Sequence, residues 1–120
     1  NGNLNNIPVL TMHTTGDGLV LTEDERAYAD TVRAAGGNSL LREVFVHRAG
    51  HCAFTPAETV TAFQTLIQRL DTGQWGNATH PDVMDAEAAA LGPTFNVYSP
   101  AFIQYEPAPC PRPFDASDET

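Results

Sequence analysis

The sequence predicts an α/β fold built on a parallel βαβα unit, and three observations lead to it. Two short apolar, β-rich runs are each followed by a glycine-containing polar turn. Each turn then leads into a segment that opens with Thr-x-x-Glu and continues with apolar residues at helical spacing. The first run, Ile7-Pro8-Val9-Leu10-Thr11-Met12-His13, ends at Thr14-Thr15-Gly16-Asp17-Gly18 and reads as a strand buried on both faces. Pro8 is tolerable near its start, where the backbone need not donate to the ladder.

The box Thr22-Glu23-Asp24-Glu25 predicts a helix from about Glu23, with the Thr22 hydroxyl accepting the N3 amide and Glu25 reaching back to the Thr22 N–H. Ala27, Tyr28, Val32 and Ala35 form its apolar stripe, and Gly36-Gly37 stops it. Leu41 to His47 is the second strand, followed by Ala49-Gly50. Thr55-Pro56-Ala57-Glu58 then places Thr at the N-cap, Pro at N1 and Glu at N3 of a second helix. Val60, Phe63, Ile67 and Leu70 are its expected buried stripe, and Gly73 closes it.

After Trp75 the character changes. Pro81 to Leu91 reads as a short Ala-rich helix ending at Gly92, and Pro100, Pro107, Pro109, Pro111 and Pro113 follow, a density that favours extended backbone. The division is therefore 1–75 as the βαβα part and 76–120 as an irregular, Pro-rich extension lying outside the core and packing on the domain or on a partner.

Composition narrows the function. The 42% apolar share becomes roughly 47% when Tyr is exchanged for Gly, the ordinary globular range, so a disordered tail is excluded as the whole answer. Six basic residues, all Arg, against 15 acidic ones leave a formal charge of -9, which repels nucleic acid. No run approaches the ~20 apolar residues of a membrane span. Cys52 and Cys110 fit either one bridge in an oxidising compartment or two buried thiols.

Chemistry concentrates in the two loops after the strands, which hold Asp17 and His51, 34 residues apart. One βαβ crossover brings the C-terminal ends of both strands to one sheet edge, where ligands of open α/β sheets bind. Neighbouring strands lie about 4.8 Å apart, so the loops can set a carboxylate against an imidazole. Such a carboxylate accepts Nδ1–H, fixes the tautomer and frees Nε2 to take a proton from a nucleophile. The flanking Gly16, Gly18 and Gly50 suit tight turns that aim both side chains outward. The bland alternative is a turn-forming aspartate and a loop histidine satisfied by backbone.

The strings Ile7-Pro8-Val9-Leu10, Thr15-Gly16-Asp17-Gly18-Leu19-Val20 and Val44-Phe45-Val46-His47-Arg48-Ala49-Gly50-His51-Cys52-Ala53-Phe54, with the Thr55 helix start, resemble the C-terminal end of the α/β-hydrolase fold. The likeness is to secreted or cell-envelope actinobacterial serine hydrolases, and it runs from about Ile7 to Trp75. It implies a partial α/β-hydrolase domain comprising the last two parallel strands and their helices. It further implies Asp17 as triad acid, His51 as general base, no cofactor and no metal, a small-molecule or acyl substrate, and export from a bacterial cell.

The chain departs from that pattern in having no G-x-S-x-G elbow, and the family order of serine, acid, histidine puts the nucleophile before Asp17. Ser39 enters the second strand at the wrong edge, Ser99 precedes Pro100, and Ser117 lies in the acidic end. The expected whole is thus an esterase, lipase or peptidase of which this chain is the C-terminal fragment. The remainder of the domain, a second chain or self-association would cover its open edges. A non-catalytic module that binds a partner through the sheet edge is the rival from another class.

Other features read more simply. His47 and His51 have i, i+4 spacing, with His13 on the neighbouring strand, but that spacing joins two metal ligands only on a helix. Cys52 beside His51 invites a Cys-His nucleophile, against which adjacent side chains on extended backbone diverge. Asn77-Ala78-Thr79 is a glycosylation sequon that matters only in a eukaryotic secretory host. Trp75, Phe95, Tyr98, Phe102 and Tyr105 are expected to pin the extension to the domain, leaving Leu19 and Phe54 as candidates for a substrate pocket.

Overall fold

A computed structural model describes residues 1–109 and shows an α/β fold. In chain order it contains β1 (Val9–Gly16), α1 (Thr22–Ala34), β2 (Leu41–Ala49), α2 (Pro56–Thr72), α3 (Pro81–Ala89) and β3 (Phe102–Ile103). The sheet order is β1-β2-β3: β1 and β2 are parallel, and β3 adds a short antiparallel pairing on the other side of β2. The two long strands run in register from Val9 opposite Leu41 to Thr14 opposite Val46, then slip at a bulge so that Gly16 faces Ala49.

Strand alternation gives the sheet two unlike faces. Val44 and Val46 of β2 build the main core with Ala57, Met84, Ala88 and Phe102, and Leu10, Met12 and Phe54 pack against it. On the α1 side Thr11 and His13 meet Glu25 instead of an apolar stripe. Part of the 76–120 stretch is therefore core, which corrects the expectation of a segment lying outside it: Met84, Ala88 and Phe102 are buried there. Asp85 caps the arrangement by accepting the Phe102 N–H at 2.9 Å. Trp75 is buried too, donating Nε1–H to the Ser39 carbonyl, with Arg42 and Arg69 each 5.6 Å from its ring centroid.

Both helical stripes need correcting. Of the expected α1 stripe only Val32 is buried, while Ala27, Tyr28 and Ala35 are exposed. On α2 the inward positions are Ala57, Glu58, Thr61 and Thr65, and Phe63, Ile67 and Leu70 are more than half exposed. Ala57, Thr61 and Thr65 recur every four residues along one face, and small residues there let α2 pack closely on α3. A groove lined by Leu10, Met12, Phe63 and Leu66 stays open between β1 and α2. Among the described residues nothing pairs with the outer edge of β1.

Candidate functional site

Asp17 and His51 meet at the C-terminal ends of β1 and β2, with Asp17 Oδ2 2.7 Å from His51 Nδ1. The backbone fixes this meeting. Gly50 N–H donates to the Gly16 carbonyl at 3.0 Å, and the buried Thr14 hydroxyl donates to the Gly50 carbonyl at 2.5 Å, so the two loops are tied to each other just before Asp17 and His51. Gly50 needs its missing side chain, since its φ is +111°. Gly16 needs it for closeness, because a Cβ there would stand 2.9 Å from the Ala49 Cα. Gly16 and Gly18 do not adopt positive φ, so the outward aim expected from paired glycines comes from Gly50 alone.

The Asp17 side chain is almost wholly buried. Its Oδ1 accepts the Leu19 and Val20 N–H groups at 2.8 and 2.9 Å, leaving Oδ2 for the ring. Burial pushes the carboxyl up, but the Val20 amide, the His51 ring and the Leu19 amide outweigh it and hold the group down to about 2. Asp17 is thus a fixed anion at neutral pH. A ring that gives Nδ1–H to such an anion presents Nε2 as an acceptor, and the half-exposed His51 does so toward solvent.

Cys52 corrects one expectation. Its backbone is left-handed, with φ +51°, so the adjacent side chains converge, and Sγ stands 3.5 Å from His51 Nε2. Cys52 is exposed; Cys110, the other half of the expected bridge, lies outside the described residues. Leu19 is exposed beside the acid, and Phe54 is half-buried against the core. Ser39 sits before β2, at the end of the strand opposite His51, and the Ser99 carbonyl accepts from Arg48. Ser117 lies outside the described residues. His47 is exposed and lies 3.3 Å from the Thr15 hydroxyl. Among the described residues no cluster of three or more His, Cys, Asp or Glu side chains could hold a metal, and no helix is long and apolar enough to cross a membrane.

Two polar groups lie behind the site, and of their bonds only the Thr55–Glu58 cap was expected from the sequence. The first surrounds His13, which is buried against Glu25 and the Val20 carbonyl, with Asp17 Oδ2 3.7 Å from Nε2. The second is the buried Glu58, which accepts from Arg48, from Thr55 N–H and from Ala101 N–H. One signal for the first was available: Glu43 is the only acidic residue of β2 and directly precedes its apolar Val44-Phe45-Val46 run, where a carboxyl drawn into the core needs a partner.

Against known proteins, no family model and no solved structure matches the chain. Over 84 residues, 70% of its length, the chain is 39% identical to a protein described as an o-phthalyl amidase of Xanthobacter agilis. It spans 18% of that relative's length. The likeness is therefore to a small part of a hydrolase.

Proposed function

We propose that this chain is the C-terminal part of a serine hydrolase of the α/β-hydrolase fold, acting on amide or ester bonds, with Asp17 and His51 as the acid and base of its triad. The observation that carries this reading is the 2.7 Å contact between Asp17 Oδ2 and His51 Nδ1 at the shared edge of two parallel strands. The amidase relative supports a hydrolytic reaction and tilts the bond class toward amides, those of aryl carboxylic acids such as its o-phthalyl group included. The chain's small share of that relative leaves room for a nucleophile in preceding sequence. The outer edge of β1 and the exposed Phe63, Ile67 and Leu70 fit a surface covered by the rest of that domain.

In this mechanism a serine Oγ attacks the carbonyl carbon while His51 Nε2 takes its proton, and Asp17 steadies the imidazolium. Collapse of the tetrahedral intermediate breaks the C–N or C–O bond, and His51 returns the proton to the leaving amine or alcohol. Water then attacks the acyl-enzyme, gives its proton to His51, and the acid departs as serine is reprotonated. Leu19 and Phe54 border the acid and base and are the proposed contacts to the acyl group. The enzyme is proposed as an exported bacterial protein.

A serine-reactive phosphonate tests the assignment in protein expressed with the coding sequence that precedes Asn1. Labelling should fall on an upstream serine, disappear in His51→Ala and persist in Cys52→Ala. Labelling that survives His51→Ala would overturn the role of His51. Labelling or acylation lost in Cys52→Ala would make Cys52, 3.5 Å from the ring, the nucleophile instead.

A further inference from the structure

We propose that Arg48 is a positioning residue for the proposed reaction, holding the exit of the His51 turn so that the ring stays seated on Asp17. This rests on the reading of His51 as general base. The turn that leaves β2 is a costly one: Gly50 has φ +111°, and Cys52, which carries a side chain, has φ +51°. Left-handed backbone at a non-glycine residue persists only where its surroundings hold it. The entry of the turn is held from β1, through the bonds of Gly50 to Gly16 and Thr14. Among the described residues no hydrogen bond from β1 reaches its exit at Ala53 and Phe54.

Arg48 supplies the missing hold. It stands three positions before His51, and its Nη1 donates at 2.9 Å to the carbonyl of Ala53, two positions after. One side chain thus closes the turn across its mouth. That side chain is itself fixed on three sides. The wholly buried Glu58 receives Nη1 at 2.5 Å and Nη2 at 3.2 Å, and Nη2 also donates to the Ser99 carbonyl at 3.4 Å. The Tyr98 ring centroid lies 5.7 Å from the guanidinium carbon. Glu58 is held in its turn by Thr55 N–H and Ala101 N–H.

Two consequences follow for the site. An ion pair alone would need only Glu58; the bond to Ala53 is the one that acts on the turn, and a planar two-nitrogen fork makes both at once where a single ammonium cannot. Without it the exit of the turn relaxes and the His51 ring drifts from the 2.7 Å contact with Asp17. The segment before β3 also enters the machinery indirectly, since Ser99 and Ala101 brace the Arg48–Glu58 pair.

The test compares parent and Arg48→Lys in protein expressed with the coding sequence that precedes Asn1, by steady-state kinetics and by the ¹H NMR signal of the His51 Nδ1–H. Arg48→Lys keeps a cation beside Glu58 and loses the fork. Its kcat should fall by roughly 10–100-fold with KM within about twofold of the parent, the signature of a misplaced group rather than of lost binding. The downfield Nδ1–H signal of the parent should broaden or vanish in the variant. Parental kcat, or an unaltered Nδ1–H signal, in folded Arg48→Lys overturns the proposal. Should that variant fail to fold, Arg48→Met combined with Glu58→Gln removes both charges together, leaves no unpaired ion in the interior, and is judged by the same two readouts. Failure of the underlying reading looks different: His51→Ala would then turn over like the parent, whatever Arg48→Lys does.

Discussion

At the start of α2, Thr55 and Glu58 close on each other, whereas at the start of α1, Thr22 and Glu25 turn away toward partners on other elements. Both sites carry Thr-x-x-Glu. In α2 the Thr55 hydroxyl accepts Glu58 N–H at 3.1 Å and Glu58 returns to Thr55 N–H at 2.8 Å. In α1 the helix begins at Thr22 itself, Leu21 takes the N-cap position without a side-chain bond, and Thr22 Oγ1 lies 3.4 Å from the Tyr105 hydroxyl. Glu25 is drawn off to Thr11 and His13. The lesson is that a local motif closes only where tertiary partners reinforce it. Arg48 does so for Glu58, and His13 does the reverse for Glu25.

Removing each glutamate gives the largest effect and the sharpest contrast. Glu58→Ala strands Arg48 and two backbone amides and should cost about 3–5 kcal/mol by urea unfolding of the full chain. Glu25→Ala loses its bonds to Thr11 and His13 but strands no buried arginine, and should cost only about 1–2 kcal/mol. Equal losses would mean the two starts are energetically alike. Trimming the caps follows the same order on a smaller scale. Thr55→Ala should cost about 1 kcal/mol, and Thr22→Ala, which caps nothing and loses only the long contact to Tyr105, should cost less than that.

The two regions should also respond to pH in opposite senses. Arg48 and the Thr55 and Ala101 amides overcome burial and hold Glu58 below its ordinary 4.5, so its contribution is present above about 4.5 and fades as pH falls. Asp17 adds to that loss between 3.8 and about 2. Glu43, raised from 4.5 to about 8, contributes fully below 4.5, and that contribution is lost as pH rises through 8. Unfolding midpoints from pH 4.5 to 8 should decline less steeply in Glu43→Gln than in the parent. An unchanged slope would remove Glu43 from the buried cluster.

What the sequence disclosed follows the same division between local and distant causes. Both ends of α2 were legible because Thr55, Pro56, Glu58 and Gly73 act within a turn, and Gly73 indeed takes the left-handed C-cap. The meeting of Asp17 with His51 was legible because one crossover rule places both loops at one edge. The buried face of α2 was not. Thr61 and Thr65 count as polar in any periodicity, yet they lie inward, while Phe63, Ile67 and Leu70 face out, where a missing part of the domain is proposed to sit. The core role of Met84, Ala88 and Phe102 was hidden for a similar reason, since it depends on partners about forty to sixty residues earlier, at Val44 and Val46. The His13 cluster joins β1, α1 and β2, and no single stretch of sequence announces it.

Under the proposed mechanism Asp17 serves His51 as its fixed anionic partner. Steady-state kinetics of Asp17→Asn, in protein that includes the proposed upstream nucleophile, addresses this most directly. Asparagine keeps the shape, removes the charge and favours the wrong tautomer of His51, so kcat should fall by about 10⁴ with KM little changed. Turnover within about tenfold of the parent would contradict the proposed triad and return Asp17 to the role of a turn residue.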